Sequence, residues 1–156
     1  MADVKYMGIG QVAINVDDLD AAIKDYNEVF GIQFTVLEIP EINVRAAVSD
    51  GGIVFSEPLD TTKEMPIGKY HNGALAAIEV RVSDLEEARR RLEERGIEPI
   101  YYMNTQGGLI EYYMKQFHGI PLTIFEMKTE SWVDAIGGED FDPSTYTYNI
   151  RWIEEQ

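Results

Sequence analysis

The sequence predicts an α+β protein built from two similar modules in tandem, and three observations support this. First, the stretch GQVAINVDDLD at Gly10–Asp20 returns in a related form as LAAIEVRVSDLE at Leu75–Glu86. Each copy has the pattern of a strand that runs directly into a capped helix. Second, each predicted helix ends at a Gly-Ile pair, Gly31–Ile32 in one copy and Gly96–Ile97 in the other. Third, three strand-like runs follow each helix, so the order strand, helix, three strands occurs twice.

The first module is assigned to residues 1–58. Its opening strand, Ile9–Val16, carries aliphatic residues on one face and Gln11 on the other. Asp17 or Asp18 caps the helix that follows, and Gly31 ends it. Turn signals then separate three further predicted strands, which are Gln33–Ile39, Asn43–Ser49 and Ile53–Glu57.

A linker is predicted over residues 59–72, which contain a proline, a threonine pair and mixed charge. The second module, residues 73–128, opens with a strand that leaves Ala77, Glu79 and Arg81 opposite its aliphatic face. Ser83 and Glu86 form the predicted capping box of its helix. Three strands follow, which are Ile100–Met103, Leu109–Gln116 and Pro121–Lys128.

The tail, residues 129–156, matches neither module. It is rich in aromatic residues, namely Trp132, Phe141, Tyr146, Tyr148 and Trp152. A disordered end rarely carries so many aromatic side chains. We therefore expect the tail to pack against the body or against a partner subunit.

Composition and charge exclude several classes of function. The formal net charge of −15 argues against binding to nucleic acids or anionic membranes and favours small-molecule ligands, cationic ones among them. The chain has no cysteine, which excludes disulfides, thiolate metal sites and cysteine nucleophiles. The N-terminal residues lack the pattern of a signal peptide, and no apolar run reaches about eighteen residues. We therefore expect a cytoplasmic protein.

The V-x-D-L motifs in Val16–Asp20 and Val82–Glu86, together with the two Gly-Ile helix ends, resemble the vicinal oxygen chelate superfamily. This superfamily includes glyoxalase I, methylmalonyl-CoA epimerase, extradiol dioxygenases and bleomycin-resistance proteins. The resemblance covers about residues 9–128 and leaves the tail outside it. It implies two βαβββ modules that form a cup-like, eight-stranded mixed sheet with the helices outside, a ligand site inside the cup, and a homodimer.

The resemblance also implies a divalent metal, which would be Mg, Mn, Zn or Ni, held by four side chains and acting as a Lewis acid. Gln11 takes the ligand position of the first strand, and Glu126 takes that of the last strand of the second module. In the first module the matching ligand is Glu57, although another register places Val54 there and removes the ligand. The fourth position is Ala77, which cannot coordinate a metal.

Strand parity supplies further candidates for substrate binding. Glu79 and Arg81 are predicted to face the inside of the cup, where they either pair with each other or with Arg45, or bind a substrate. Glu79 is also a substitute for the missing fourth ligand. Tyr112 and Tyr113 have opposite parity, so one of them enters the cavity in either register. The complete set of candidates for substrate binding is Arg45, Glu79, Arg81, Tyr112, Tyr113 and His118.

Two functions remain open at the level of the sequence. The preferred one is a lyase or isomerase similar to glyoxalase I or an epimerase, with Glu126 or Glu57 as the base that abstracts a proton next to a carbonyl. Gln11 and Arg81 would position oxygen atoms, and Glu126→Gln is predicted to abolish turnover. The alternative is a metal-free binding protein of the bleomycin-resistance kind that sequesters a cationic or aromatic ligand. An extradiol dioxygenase is less favoured, because the chain lacks a two-histidine, one-carboxylate set at the matching positions.

Overall fold

The computed structural model describes residues 3–65, 72–137 and 149–153, which form one mixed β-sheet with three α-helices. The strands are β1 (Tyr6–Asn15), β2 (Thr35–Ile39), β3 (Val44–Val48), β4 (Ile53–Pro58), β5 (Leu75–Val82), β6 (Pro99–Asn104), β7 (Ile110–Phe117), β8 (Ile120–Glu126) and β9 (Asn149–Trp152). The helices are α1 (Leu19–Phe30), α2 (Leu85–Glu93) and α3 (Trp132–Gly137), and a single 3-10 turn spans Pro40–Ile42. No helix among these residues is both long enough and apolar enough to cross a membrane.

The sheet consists of two four-stranded halves joined at their centre, in the order β2-β3-β4-β1-β5-β8-β7-β6, with β9 added at the end beside β6. Within the halves, β1 is parallel to β4 and β5 is parallel to β8, whereas β1 and β5 are antiparallel. The duplicated strands therefore lie side by side, with Ala13 opposite Ala77. This architecture confirms the predicted α+β fold of two βαβββ modules. The ninth strand, which comes from the tail, is an addition to the eight that were predicted.

Helix α1 lies on one face of the sheet and begins where the sequence predicts. The Asp18 side chain accepts a hydrogen bond from the Ala21 amide at 3.0 Å, and Gly31 ends the helix in the left-handed conformation at φ 71°. Leu19 is fully buried against Phe55 of β4. The first turn of α1 is therefore anchored both by its cap and by its packing on the first half of the sheet.

Helix α2 lies on the same face over the second half, and its cap corrects the sequence prediction. Asp84, not Ser83, is the N-cap residue, and its carboxylate accepts a hydrogen bond from the Glu87 amide at 3.0 Å. The Ser83 hydroxyl instead accepts from the amide of Lys5 at 2.8 Å. The Ser83 hydroxyl is thus hydrogen-bonded to the N-terminal segment, and Asp84 caps α2 in the way that Asp18 caps α1.

The described parts of the tail, residues 129–137 and 149–153, lie against the body. Trp132 packs on Phe125 with ring centroids 4.7 Å apart, and its indole N–H donates to the Gly10 carbonyl at 3.3 Å. Strand β9 pairs antiparallel with β6. The aromatic residues Phe141, Tyr146 and Tyr148 lie outside the described residues, and the module and linker boundaries stay a prediction.

Candidate functional site

The face of the sheet opposite α1 and α2 encloses an open cavity. Both halves of the sheet line it. Its apolar wall includes Ile39, Ile42, Val44 and Val48 from the first half and Tyr101, Tyr113 and Trp132 from the second half and the tail. A concave, mainly apolar cavity with a few polar groups in its lining is typical of a small-molecule site.

Three buried side chains that carry an amide or carboxyl group face this cavity from three different strands. Gln11 of β1, Glu79 of β5 and Glu111 of β7 are only 6%, 7% and 5% exposed. Gln11 lies opposite Glu79 in the β1–β5 register and forms a hydrogen bond with its carboxyl group. Glu79 lies opposite Thr123 of β8, and Glu111 lies opposite Phe125 of the same strand. The two carboxyl groups therefore approach each other from either side of β8.

Burial changes the protonation of both carboxyl groups. It raises the pKa of Glu79 well above its ordinary value, the charge of Glu111 raises that pKa further, and the hydrogen bond from Gln11 lowers it. Burial raises the pKa of Glu111 to about 8. Two interacting acids in an apolar site titrate as a pair, because ionising both places two negative charges in a poorly solvated space. At neutral pH the pair therefore retains at least one proton.

Two polar atoms of this group have no hydrogen-bond partner among the described residues. They are Oε1 of Gln11 and Oε2 of Glu111, and both are buried. An unpaired buried polar atom costs about 1–3 kcal/mol of stability, so native proteins rarely keep one without a reason. Here both atoms belong to side chains that line the cavity, and a bound molecule is the partner that would complete them.

The structure places Glu57 and Glu126 elsewhere, so the expectation that their carboxylates face the cup is wrong. Oε2 of Glu57 accepts a hydrogen bond from the Leu19 amide at 2.9 Å, at the start of α1. Oε2 of Glu126 accepts from the Leu85 amide at 3.0 Å, at the start of α2. The two glutamates therefore occupy equivalent positions in the two modules, as the sequence alignment predicts, and each lies at the N-terminus of a helix.

The physical reason is the alternation of side chains along β4 and β8. Phe55 packs against α1 and Ile124 packs against α2, so the residues two positions further on, Glu57 and Glu126, also point toward the helices. The residues that face the cavity are Thr123 on β8 and, on β4, Ser56 and Val54, the residue that the alternative register places there.

Both predicted substrate-binding arginines lie outside the cavity lining. Arg45 donates to Glu57 and to Asp20, each at 2.9 Å, on the helix side of the sheet. Arg81 lies two residues from Glu79 on β5, but its guanidinium donates to the Met127 carbonyl at 2.9 Å and forms an ion pair with Glu130 at 3.2 Å. The alternative pairing of Arg81 with Glu79 is therefore not formed.

Of the two adjacent tyrosines, Tyr113 lines the cavity and Tyr112 does not. Tyr113 stacks on Tyr101 with ring centroids 5.3 Å apart and an interplanar angle of 18°. The Tyr112 hydroxyl donates to Glu86 of α2 at 2.7 Å. His118 lies in the turn between β7 and β8 at φ 54° and is not part of the lining. The cavity thus brings together Gln11, Glu79 and Tyr113 from the predicted set.

Sequence reasoning missed Glu111 and Trp132. A signal for Glu111 was present, because it lies two residues before Tyr113 on the same strand and therefore on the same face. The signal for Trp132 was weaker and consisted of a glycine, Gly10, at the start of a predicted strand. A Cβ atom at this position would overlap the rings of both Phe125 and Trp132. The glycine in β1 leaves the space into which the tail inserts its indole.

The family metal centre that the resemblance implies does not fit the residues present. Only Gln11 among its four positions offers an oxygen to the cavity, and the fourth position, Ala77, lines the cavity without a donor. Outside the four family positions, Glu79 and Glu111 add two carboxyl groups to the lining, and Ser56 and Thr123 add only hydroxyl groups, which are weak ligands for these metals. Within the described ranges, no three His, Cys, Asp or Glu side chains are arranged to hold a metal ion. Glu79 and Glu111 are the carboxyl groups among the residues that line the cavity.

Comparison with known proteins agrees with this architecture. The model of the Glyoxalase/Bleomycin resistance protein/Dioxygenase superfamily matches residues 10–113. The methylmalonyl-CoA epimerase from Mycobacterium tuberculosis superposes with a TM-score of 0.67 at 23% identity, covering 83% of this chain and 94% of that chain. A variant of the Streptomyces coelicolor methylmalonyl-CoA epimerase, in complex with 2-nitronate-propionyl-CoA, gives 0.67 at 18% identity, covering 80% and 97%. No curated protein matches the sequence significantly. At these identities the likeness to the solved structures is one of fold.

Proposed function

Because the chain belongs to the glyoxalase, bleomycin resistance protein and dioxygenase superfamily, as its repeat predicts, we propose that it is a small-molecule isomerase. The proposed reaction begins with abstraction of a proton from the carbon next to a carbonyl group. Epimerisation, the activity named for the similar solved structures, is a reaction of this type. The observation that carries the proposal is the pair of buried carboxyl groups, Glu79 and Glu111, that faces an apolar cavity.

Glu111 is the proposed base. Its Oε2 atom has no partner in the described part of the chain, so it is available to a substrate proton. A general base works best when its pKa lies near the working pH, and burial raises the pKa of Glu111 to about 8. An ionised Glu111 in this cavity is therefore a stronger base than an exposed glutamate.

Glu79 is the proposed acid. Burial and the neighbouring Glu111 raise its pKa, which favours the protonated form that donates a hydrogen bond to the carbonyl oxygen of the substrate. A neutral carboxylic acid in an apolar site stabilises the negative charge that develops on this oxygen. Gln11 holds the Glu79 side chain by its hydrogen bond. Glu111 then returns the proton to the neighbouring carbon, which completes the isomerisation, whereas inversion at the same carbon needs a proton donor on its opposite face.

Hydrogen–deuterium exchange tests this proposal without knowledge of the natural substrate. The protein is incubated in D2O with methylmalonyl-CoA, with the hemithioacetal of methylglyoxal and glutathione, and with methyl 4-acetylbenzoate. Loss of the proton next to each carbonyl is followed by NMR. We expect the protein to accelerate exchange in at least one compound, and Glu111→Gln to lower the rate by about 100-fold or more. The exposed Glu28→Gln is the matched control.

Two results would contradict the proposal. One is an unchanged exchange rate in a folded Glu111→Gln protein, and folding is verified by circular dichroism. The other is tight binding of a test compound without any exchange, which would support the alternative, a binding protein of the bleomycin-resistance kind. Addition of Mg, Mn, Zn or Ni salts, or of a chelator, is expected to leave the rate unchanged, because the cavity does not supply the four family ligands.

A further inference from the structure

We infer that the cavity selects an uncharged, largely apolar carbonyl compound and excludes carboxylates and phosphates. That the ligand is a carbonyl compound rests on the proposed function, whereas the selection by charge concerns binding alone. The inference separates this chain from the epimerases of the same fold, because acyl-CoA ligands such as the one in the Streptomyces coelicolor complex carry several phosphate charges.

The first argument is the charge of the lining. The described residues around the cavity include two carboxyl groups and two phenols, from Glu79, Glu111, Tyr101 and Tyr113, and no Lys, Arg or His. An anion that enters an apolar site loses its hydration and must be compensated by a positive partner. Here the groups it would meet are either neutral or negative.

The nearby arginines are already engaged. Arg45 is held between Asp20 and Glu57 at 2.9 Å each, and turning it inward would leave the half-buried Glu57 carboxylate without its cation. Arg81 donates to the Met127 carbonyl at 2.9 Å and pairs with Glu130. Neither guanidinium is free to neutralise a ligand in the cavity.

The second argument is the distribution of polar and apolar groups in the cavity lining. Aliphatic side chains from β2 and β3, the stacked rings of Tyr101 and Tyr113, and Trp132 form the apolar part of the lining. The charged and amide groups that face the cavity come from Gln11, Glu79 and Glu111. A ligand with one polar group on an apolar or aromatic body matches this distribution, whereas a ligand with charges at both ends leaves one of them against apolar walls.

The whole chain adds to this selection. Its net charge of −15 produces a negative potential that disfavours the approach of anions and that salt screens. This long-range effect acts on any anion, while the desolvation cost in the cavity acts only on a bound one. The two effects are separable, because only the first weakens as the ionic strength increases.

The test uses three aromatic methyl ketones of similar size and shape that differ in charge. They are methyl 4-acetylbenzoate, which is uncharged, 4-acetylbenzoate, which is an anion, and 4-acetyl-1-methylpyridinium, which is a cation. Dissociation constants for the full chain are measured by ligand-observed NMR at about pH 6. We expect the ester to bind, the carboxylate to bind at least about 100-fold more weakly, and the cation to bind more weakly than the ester. High salt leaves most of the difference between ester and carboxylate in place.

A double variant, Glu79→Gln with Glu111→Gln, removes the titratable charge of the pair while keeping side chains of nearly the same shape. In the wild type the preference for the ester over the carboxylate increases from about pH 6 to about pH 9, as the pair ionises. In the double variant this preference is expected to be independent of pH, while Glu28→Gln behaves as the wild type. Equal binding of ester and carboxylate, tighter binding of the cation than of the ester at about pH 6, or no binding of any of the three would overturn the inference.

The outcomes also distinguish the inference from the proposed function. If the ester binds selectively but its methyl protons do not exchange, the selection by charge stands and the proton-transfer function is contradicted for this ketone. If the acetyl protons of the ester and of the carboxylate exchange at the same rate, the proposed function stands and the selection by charge fails.

Discussion

At the scale of single residues, the burial of Glu79 and Glu111 lowers the stability of the folded protein when these groups ionise. Each is more than nine-tenths buried, and no basic side chain of the described cavity lining is present to neutralise it. Buried acids with raised pKa values occur preferentially at functional sites. The cost of this arrangement is measurable, because it makes stability depend on pH.

The first prediction concerns this pH dependence. In the unfolded chain both carboxyl groups titrate near the ordinary value of 4.5, whereas in the folded protein burial raises the pKa of both, that of Glu111 to about 8. Between these values the folded state binds more protons than the unfolded state. The stabilisation is therefore fully present below about pH 4.5 and is lost as the pH rises toward about 8, by up to about 1.4 kcal/mol per pH unit for each proton. Urea unfolding from about pH 5 to pH 8 measures this slope.

Two variants isolate the carboxyl pair in that experiment. Glu111→Gln is expected to flatten the slope and to be more stable than the wild type at about pH 8, whereas the exposed Glu28→Gln keeps the wild-type slope. Identical slopes in both variants would contradict the prediction. The half-buried Glu87 does not disturb it, because hydrogen bonds from Arg90 lower its pKa to about 2 and its contribution is lost only as the pH falls toward that value.

At the scale of elements, the two helices begin in the same way. In each module a capping aspartate, Asp18 or Asp84, satisfies the amide three residues further on. A glutamate from the last strand of the same module, Glu57 or Glu126, satisfies the amide of the first helical residue. Negative charge is favourable at both sites because the first amides of a helix are unpaired and carry the positive end of its dipole. The repeated motif is therefore explained by helix formation.

The second prediction follows for Glu126. Glu126→Ala removes the acceptor of the Leu85 amide and is expected to lower the free energy of unfolding by about 1 kcal/mol, while Glu126→Gln keeps an oxygen there and lowers it by less. Because Glu126 does not line the cavity, the exchange rate of the folded variants is expected to equal that of the wild type. Denaturant unfolding and the exchange assay measure the two effects. An exchange rate abolished in a stable Glu126→Gln protein would return this residue to the site and refute its placement at the helix.

At the scale of the whole molecule, the sequence predicted the features that are encoded by near neighbours. The caps at Asp18 and Gly31, and the order of strands and helices, depend on residues a few positions apart. These features could be read from the chain because local chemistry alone determines them.

The features that the sequence did not reveal depend on distant partners. Whether Ser56 or Glu57 faces the cup is decided by which neighbour packs against α1, and alternation alone permits either register. The insertion of Trp132 beside Gly10 joins residues 122 positions apart, and no local pattern predicts such a contact. The site differs from the family pattern for the same reason, since its third member, Glu111, comes from a strand that carries no ligand in that pattern.

The third prediction concerns the net charge of −15, which arises from 28 acidic and 13 basic residues. Repulsion among the excess carboxylates disfavours the compact state, whereas surface pairs such as Arg89 with Glu93 and Arg91 with Glu87 contribute only about 0.3–0.5 kcal/mol each. Salt weakens both effects, and we expect the repulsion to be the larger. Raising NaCl from about 10 mM to about 500 mM, where the Debye length falls from about 30 Å to a few Å, should therefore increase the Tm at pH 7 by a few degrees. At the sequence pI near 4.4 the increase should disappear, which serves as the internal control. A Tm that falls with salt at pH 7 would show that the ion pairs of α2 outweigh the repulsion of the whole chain.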